Sequence, residues 1–119
     1  MHVYVDAYIA PIPKKSLDAY RKLAELSRAV WLEHGALSYR EWMANDTAVG
    51  KLTSFPRSVL LKEDEVVIFA VVEYASREAR DEVNRKVFAD PRMDSMMVEG
   101  ECPFDGKRLI WGGFEPFIG

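Results

Sequence analysis

Two carboxylates, Glu41 and Glu73, occupy stretches that read as β-strands near the middle of a sheet. A carboxylate drawn out of water either finds a partner or takes up a proton, and an acid tuned that way can serve as a general base. The same placement suits a structural ion pair, with Arg40, Arg92, Lys107 and Arg108 as the available cations. A third acid, Asp6, lies between Tyr4 and Tyr8 at alternate positions, so acid and phenols share one strand face. Such a group either orients a small polar ligand or makes hydrogen bonds across a subunit interface. Glu41, Glu73 and Asp6 are therefore the catalytic candidates.

Other residue types add binding chemistry or remove options. Arg92 follows Asp90-Pro91 at the start of a short helix. A guanidinium there holds a carboxylate or phosphate, or fixes the loop by pairing with Asp90 or Asp105. With Tyr4, Trp42, Trp111 and Phe114 it completes the set of candidate ligand-binding residues, and Phe69 joins the aromatic ones as wall material. His34 stands at a helix end without a second ligand at metal spacing or a neighbouring nucleophile, which favours a capping or surface role. The single cysteine, Cys102, can form neither an internal disulfide nor a zinc cluster. No metal site and no cofactor are expected. Gly112-Gly113 lacks the helix and Lys-Thr pair of a phosphate loop, and reads as a bulge or a close backbone approach. A net charge of −3 disfavours a nucleic-acid partner.

These residues need elements to position them. The β-rich stretch from Val3 to Ala10, bounded by Pro11-Ile12-Pro13, reads as a first strand. Its Val3, Val5, Ala7 and Ile9 face is expected toward helices, and its Tyr4, Asp6 and Tyr8 face toward a partner, a cavity or water. Ser16 is expected to cap a helix running to about His34, closed by Gly35. Leu17, Tyr20, Leu23, Ala24, Ser27, Val30 and Trp31 form its apolar stripe. A second strand spans about 36–44, with Tyr39 and Glu41 on one face and Arg40 and Trp42 on the other. Residues 51–65 give no clear pattern, although Pro56 argues against a central strand there and a short helical turn fits. Val66 to Tyr74 is apolar on both faces up to Glu73, as a mid-sheet strand should be. Ser76 caps a second helix to about Ala89, with Ala79, Val83, Val87 and Phe88 inward, and Asp90-Pro91 starts a short turn carrying Met93, Met96 and Met97. A last strand is expected from Lys107 to Phe117.

The order strand, helix, strand, strand, helix, strand is the split βαβ plan: an α+β, ferredoxin-like single domain over residues 1–119, with both helices on one face of an antiparallel sheet. The other face would be left open and apolar, and two such faces packed across a two-fold axis give a dimeric α/β barrel. The N-terminus has no basic region ahead of an apolar run, and no stretch approaches the length of a membrane span, so a cytoplasmic protein without a membrane partner is expected.

Several segments together resemble the YbaA-like bacterial family (domain-of-unknown-function family 1428) of the dimeric α/β-barrel superfamily. They are Tyr4-Val5-Asp6, His34-Gly35-Ala36-Leu37, Glu41, Asp46, Gly50-Lys51-Leu52-Thr53-Ser54-Phe55, Val72-Glu73-Tyr74-Ala75-Ser76 and Asp90-Pro91-Arg92-Met93. The most specific are Pro103-Phe104-Asp105-Gly106-Lys107-Arg108 and Gly112-Gly113-Phe114-Glu115. The resemblance implies the ferredoxin-like fold and a homodimer, and no activity. Other branches of that superfamily include cofactorless monooxygenases, haem-degrading enzymes and small-molecule isomerases, and likeness of fold alone transfers none of them. Two functions remain open. One is a small-molecule binder or cofactorless enzyme with its pocket inside the barrel, and the other is a dimeric scaffold that binds another protein.

Overall fold

The computed structural model describes residues 3–94 and 102–119. Four antiparallel strands form one sheet in the order β2-β3-β1-β4: β1 Tyr4–Pro13, β2 Ser38–Met43, β3 Glu65–Tyr74 and β4 Ile110–Phe114. Helices α1 (Leu17–Glu33) and α3 (Arg77–Ala89) cross one face, and the one-turn helix α2 (Phe55–Ser58) sits in the β2–β3 connection. This is the ferredoxin-like α+β plan expected from the element order. Among the described residues, no helix is long and apolar enough to cross a membrane.

Local chemistry explains the boundaries. Gly35, at φ +119°, ends α1 in a left-handed turn in which Ala36 N–H reaches Trp31 O and Gly35 N–H reaches Leu32 O. Ser76 caps α3 by accepting from Ala79 N–H, and Asp90 does the same for Arg92 N–H in the turn Pro91–Met93. Ser16 does not cap α1, since it closes a 3-10 turn and its side chain makes no capping bond. Met96 and Met97 lie outside the described residues.

The register sets the faces, because alternate residues point to opposite sides. Glu41, Ala70, Tyr8 and Trp111 form one row across all four strands, and Tyr39, Val72, Asp6 and Gly113 form the next. Both rows lie under the helices, where Val30, Trp31, Val72, Tyr74, Val83 and Val87 make the main core. The other side carries the rows Ser38–Glu73–Val5–Phe114, Arg40–Val71–Ala7–Gly112 and Trp42–Phe69–Ile9–Ile110.

This corrects the sequence expectation for β1. Tyr4, Asp6 and Tyr8 face the helices, and Val5, Ala7 and Ile9 face outward. The inversion has a physical cause: α3 presents Arg80 and Asn84, one helical turn apart, to the polar side of β1. Two boundaries also moved. β1 runs on through Pro11 and Pro13, which it tolerates because pairing with β4 stops at Ile9 and leaves that edge without a strand partner. β4 begins only at Ile110, after a 3-10 turn at Gly106–Arg108. The Gly112-Gly113 pair makes no bulge, since both residues stay in register with Ala7 and Asp6. A Cβ on Gly113 would lie 2.0 Å from the Tyr4 hydroxyl oxygen, so it is the Tyr4 side chain that requires a glycine there.

Candidate functional site

Between the helices and the sheet lies a cavity of about 250 Å³. Tyr8, Ala10, Tyr39, Ile68, Ala70 and Trp111 form its floor on the sheet. Tyr20, Leu23, Ala24, Ser27 and Trp31 of α1 and Asn84 and Phe88 of α3 form its roof, and Phe104 and Leu109 its end. It exists because the sheet places small residues, Ala10 and Ala70, beneath α1 residues that are themselves small, Ala24 and Ser27. Large rings at the margin hold the layers apart. Trp111 stacks on Tyr8 at 6.1 Å, Phe104 meets Tyr20 edge-on at 5.7 Å, and Phe88 meets Trp31 edge-on at 6.0 Å.

One carboxylate enters this apolar space. Glu41 Oε1 accepts from the Tyr20 hydroxyl, and Glu41 Oε2 accepts from the Tyr39 hydroxyl at 2.7 Å. Burial and the Glu41 charge push both phenols well above the ordinary tyrosine range, so they remain neutral donors. Tyr8 is likewise held up by burial and by the charge of Asp6. Ala24, Tyr39 and Glu41 also line an outer groove with Arg21, Glu25, Arg28 and Arg40, so the carboxylate stands where the cavity meets the surface.

A second polar group lies behind the cavity. Asp6 is fully buried. Asn84 Nδ2 donates to its Oδ2 at 3.4 Å, and Arg80 Nη1 stands 3.4 Å from its Oδ1. Asn84 Oδ1 accepts in turn from Trp31 Nε1 and the Tyr74 hydroxyl, both at 3.2 Å. Arg80 also donates to the Tyr4 hydroxyl at 3.1 Å and lies over the Tyr4 ring. Burial raises the Asp6 carboxyl above the ordinary aspartate value, and Arg80 offsets only part of this. Asn84 is the member that reaches the cavity wall.

The remaining candidates are spread over the molecule. Trp111 joins Glu41 in the cavity. Tyr4 lies beyond the Asp6 network, under Arg80. Glu73, Trp42, Phe69 and Phe114 lie on the open face. There Glu73 accepts from Ser38 Oγ at 2.5 Å and pairs with Arg40 at 3.4 Å, so the ion-pair alternative describes it. Trp42 lies under Arg40 and beside Phe69. Arg92 pairs with Asp90 and Glu33 at 2.7 Å, at the far end of α1. His34 closes the same cluster, 2.9 Å from Asp90, whose carboxyl is held well below the usual range by Arg92 and His34.

Sequence reasoning missed Tyr20 and Tyr39 as partners of Glu41, and Arg80 and Asn84 as partners of Asp6. Tyr39 carried a usable signal, since it stands two residues before Glu41 on the same strand face. Arg80 and Asn84 did not, because polar helix residues read as solvent-facing.

Comparison with known proteins places these observations. The profile of DUF1428, a family of proteins of unknown function, matches residues 3–106. The uncharacterized protein YbaA of Escherichia coli is 44% identical over 116 residues, covering 97% of each chain. Its Shigella flexneri counterpart matches to the same extent. A NIPSNAP-family protein with unknown function from Agrobacterium tumefaciens is similar in structure at a TM-score of 0.59 and 16% identity, covering 97% of this chain and 88% of its own. A dimeric ferredoxin-like protein from an uncultured marine organism gives 0.55 at 12% identity, covering 99% and 96%. At these identities the structural likeness establishes the fold alone.

Proposed function

We propose a function from one premise: the chain belongs to DUF1428, a family of proteins of unknown function. On that premise the protein is a homodimer that binds a small, mostly apolar molecule inside each protomer, between helices and sheet rather than in the barrel interior. The observation that carries this reading is the cavity with its single carboxylate. The cavity opens to the outer groove at Glu41, so a molecule can reach it from solvent, and apart from a few polar groups its walls are apolar. Packing alone gives no reason to keep such a space, or to aim an acid into it.

The dimer is supported by the opposite face. Trp42, Ile110 and Phe114 are exposed there around the half-buried Val5, Ile9, Phe69 and Val71. A second copy set face to face would cover them with matching apolar side chains. Similarity to a protein described as dimeric agrees with this arrangement. Glu41 is the group placed to bond a polar atom of the bound molecule, with Tyr20 and Tyr39 donating to its oxygens and sharing its negative charge. A second reading, a module that binds another protein, is favoured by the exposed Val49, Leu52, Phe55 and Leu60 on the β2–β3 connection.

Native mass spectrometry, paired with thermal melts in the presence of indole and toluene, tests the reading. A dimer that is stabilised by these probes, with the effect abolished by Ala24→Trp, is expected. A protein that carries no extra mass and melts unchanged with either probe would overturn the binding site, and a monomer would overturn the dimer.

A further inference from the structure

We propose that the cavity is selective for an organic ammonium ion, a primary amine carried on one aromatic ring. This rests on the cavity being the binding site. Among the described residues that line it, Glu41 is the only charged side chain. Its two oxygens are held by tyrosine hydroxyls, and among the described residues it forms no ion pair. The nearby basic groups stand on the outer groove. Arg28 Nε is engaged by the Tyr39 carbonyl at 3.2 Å and Arg40 by Glu73, while Glu25 lies beside Arg21 along the same groove.

A carboxylate drawn into an apolar space without a counter-ion is unfavourable, and a bound cation supplies what is missing. The rest of the wall suits the same ion. Tyr8, Tyr20, Trp31, Tyr39, Phe104 and Trp111 line the space with aromatic rings, and a ring face turned to a bound ammonium attracts it through its negative quadrupole. The phenols cannot compete as anions, since burial and Glu41 hold them protonated. An anionic ligand would meet the carboxylate with no basic side chain inside the cavity, and a neutral alcohol would gain one hydrogen bond without charge attraction. Volume sets the size: a dry cavity of about 150 Å³ holds benzene, so 250 Å³ leaves room for a ring and a two-carbon amine.

The test is calorimetric titration of the intact protein at neutral pH with three probes of nearly equal shape: 2-phenylethylamine, 2-phenylethanol and 3-phenylpropanoate. The amine should bind at least tenfold more tightly than the alcohol, the acid should not bind, and Glu41→Gln should bring amine and alcohol level. Tyr39→Phe, which keeps the carboxylate and removes one of its donors, should preserve the amine's advantage even if Glu41→Gln fails to fold. Alcohol binding as tight as amine, or any binding of the acid, overturns the charge selectivity and leaves the cavity as a site. Absence of binding by all three overturns this inference together with the reading it rests on.

Discussion

The two faces of the sheet solve the same problem in different ways. Under the helices, polar groups are buried and answered one by one: Asp6 by Arg80 and Asn84, Glu41 by Tyr20 and Tyr39. On the open face, aliphatic and aromatic side chains are exposed or half-buried over its middle, and the polar residues stand toward its ends, Ser38, Arg40 and Glu73 at one and Glu65 at the other. Hydrogen-bonded polarity enclosed within one protomer suits a site. Apolar surface left uncovered suits an interface. Their buried acids differ in the same sense. Burial raises Asp6, whereas Glu65, whose side chain falls on the other face, is lowered chiefly by its hydrogen bonds from Arg108, at 2.6 and 2.7 Å.

The largest effect should come from unpairing a buried charge. Arg80→Met leaves Asp6 alone in the core and should cost about 3 kcal/mol, read by urea denaturation at pH 7. The loss should shrink toward pH 4, where the isolated carboxyl takes up a proton. In the unmodified protein the raised Asp6 favours folding fully below its unfolded value, and that contribution fades as pH rises through the raised one.

Glu65→Gln should show the reverse sign. The lowered Glu65 contributes stability above its unfolded value and loses it as pH falls through the lowered one, so the variant should be destabilised by about 2–3 kcal/mol at pH 7 and close to the parent in strong acid.

On the open face, Phe69→Glu should leave the fold intact while weakening self-association at least a hundredfold, about 2.7 kcal/mol, measured by analytical ultracentrifugation. A variant that unfolds instead would mean that the two faces are not separable. Gly113→Ala drives a methyl group into the Tyr4 phenol and should cost about 1–3 kcal/mol, seen in thermal melts. The smallest effect is expected for Arg40→Ala. Its pair with Glu73 is solvent-exposed and worth under about 1 kcal/mol.

Much of the fold was legible in the sequence because its signals were local. Gly35, Ser76 and Asp90-Pro91 each mark a helix boundary by their own backbone or capping chemistry, and the apolar run at 66–74 needs cover on both sides. What failed was the assignment of sides. Tyr4, Asp6 and Tyr8 look like a solvent or partner face by polarity, and only the placement of Arg80 and Asn84 on a helix seventy-odd residues away makes that face internal. The site followed the same rule. Glu41 and Trp111 could be picked out as residue types, but their convergence depends on cross-sheet register, which no single segment encodes.

The prolines of β1 have one more consequence. Past Ile9 the strand has no strand partner on that side, and the corner is covered instead: Pro11 is fully buried, and Arg108 ties Glu65 to the carbonyls of Val59 and Leu60. Pro11 and Pro13 carry no N–H, so that stretch of edge offers no donors at either position to an incoming strand. Growth of the sheet is therefore blocked twice at that corner, by the cover over the edge and by the missing donors.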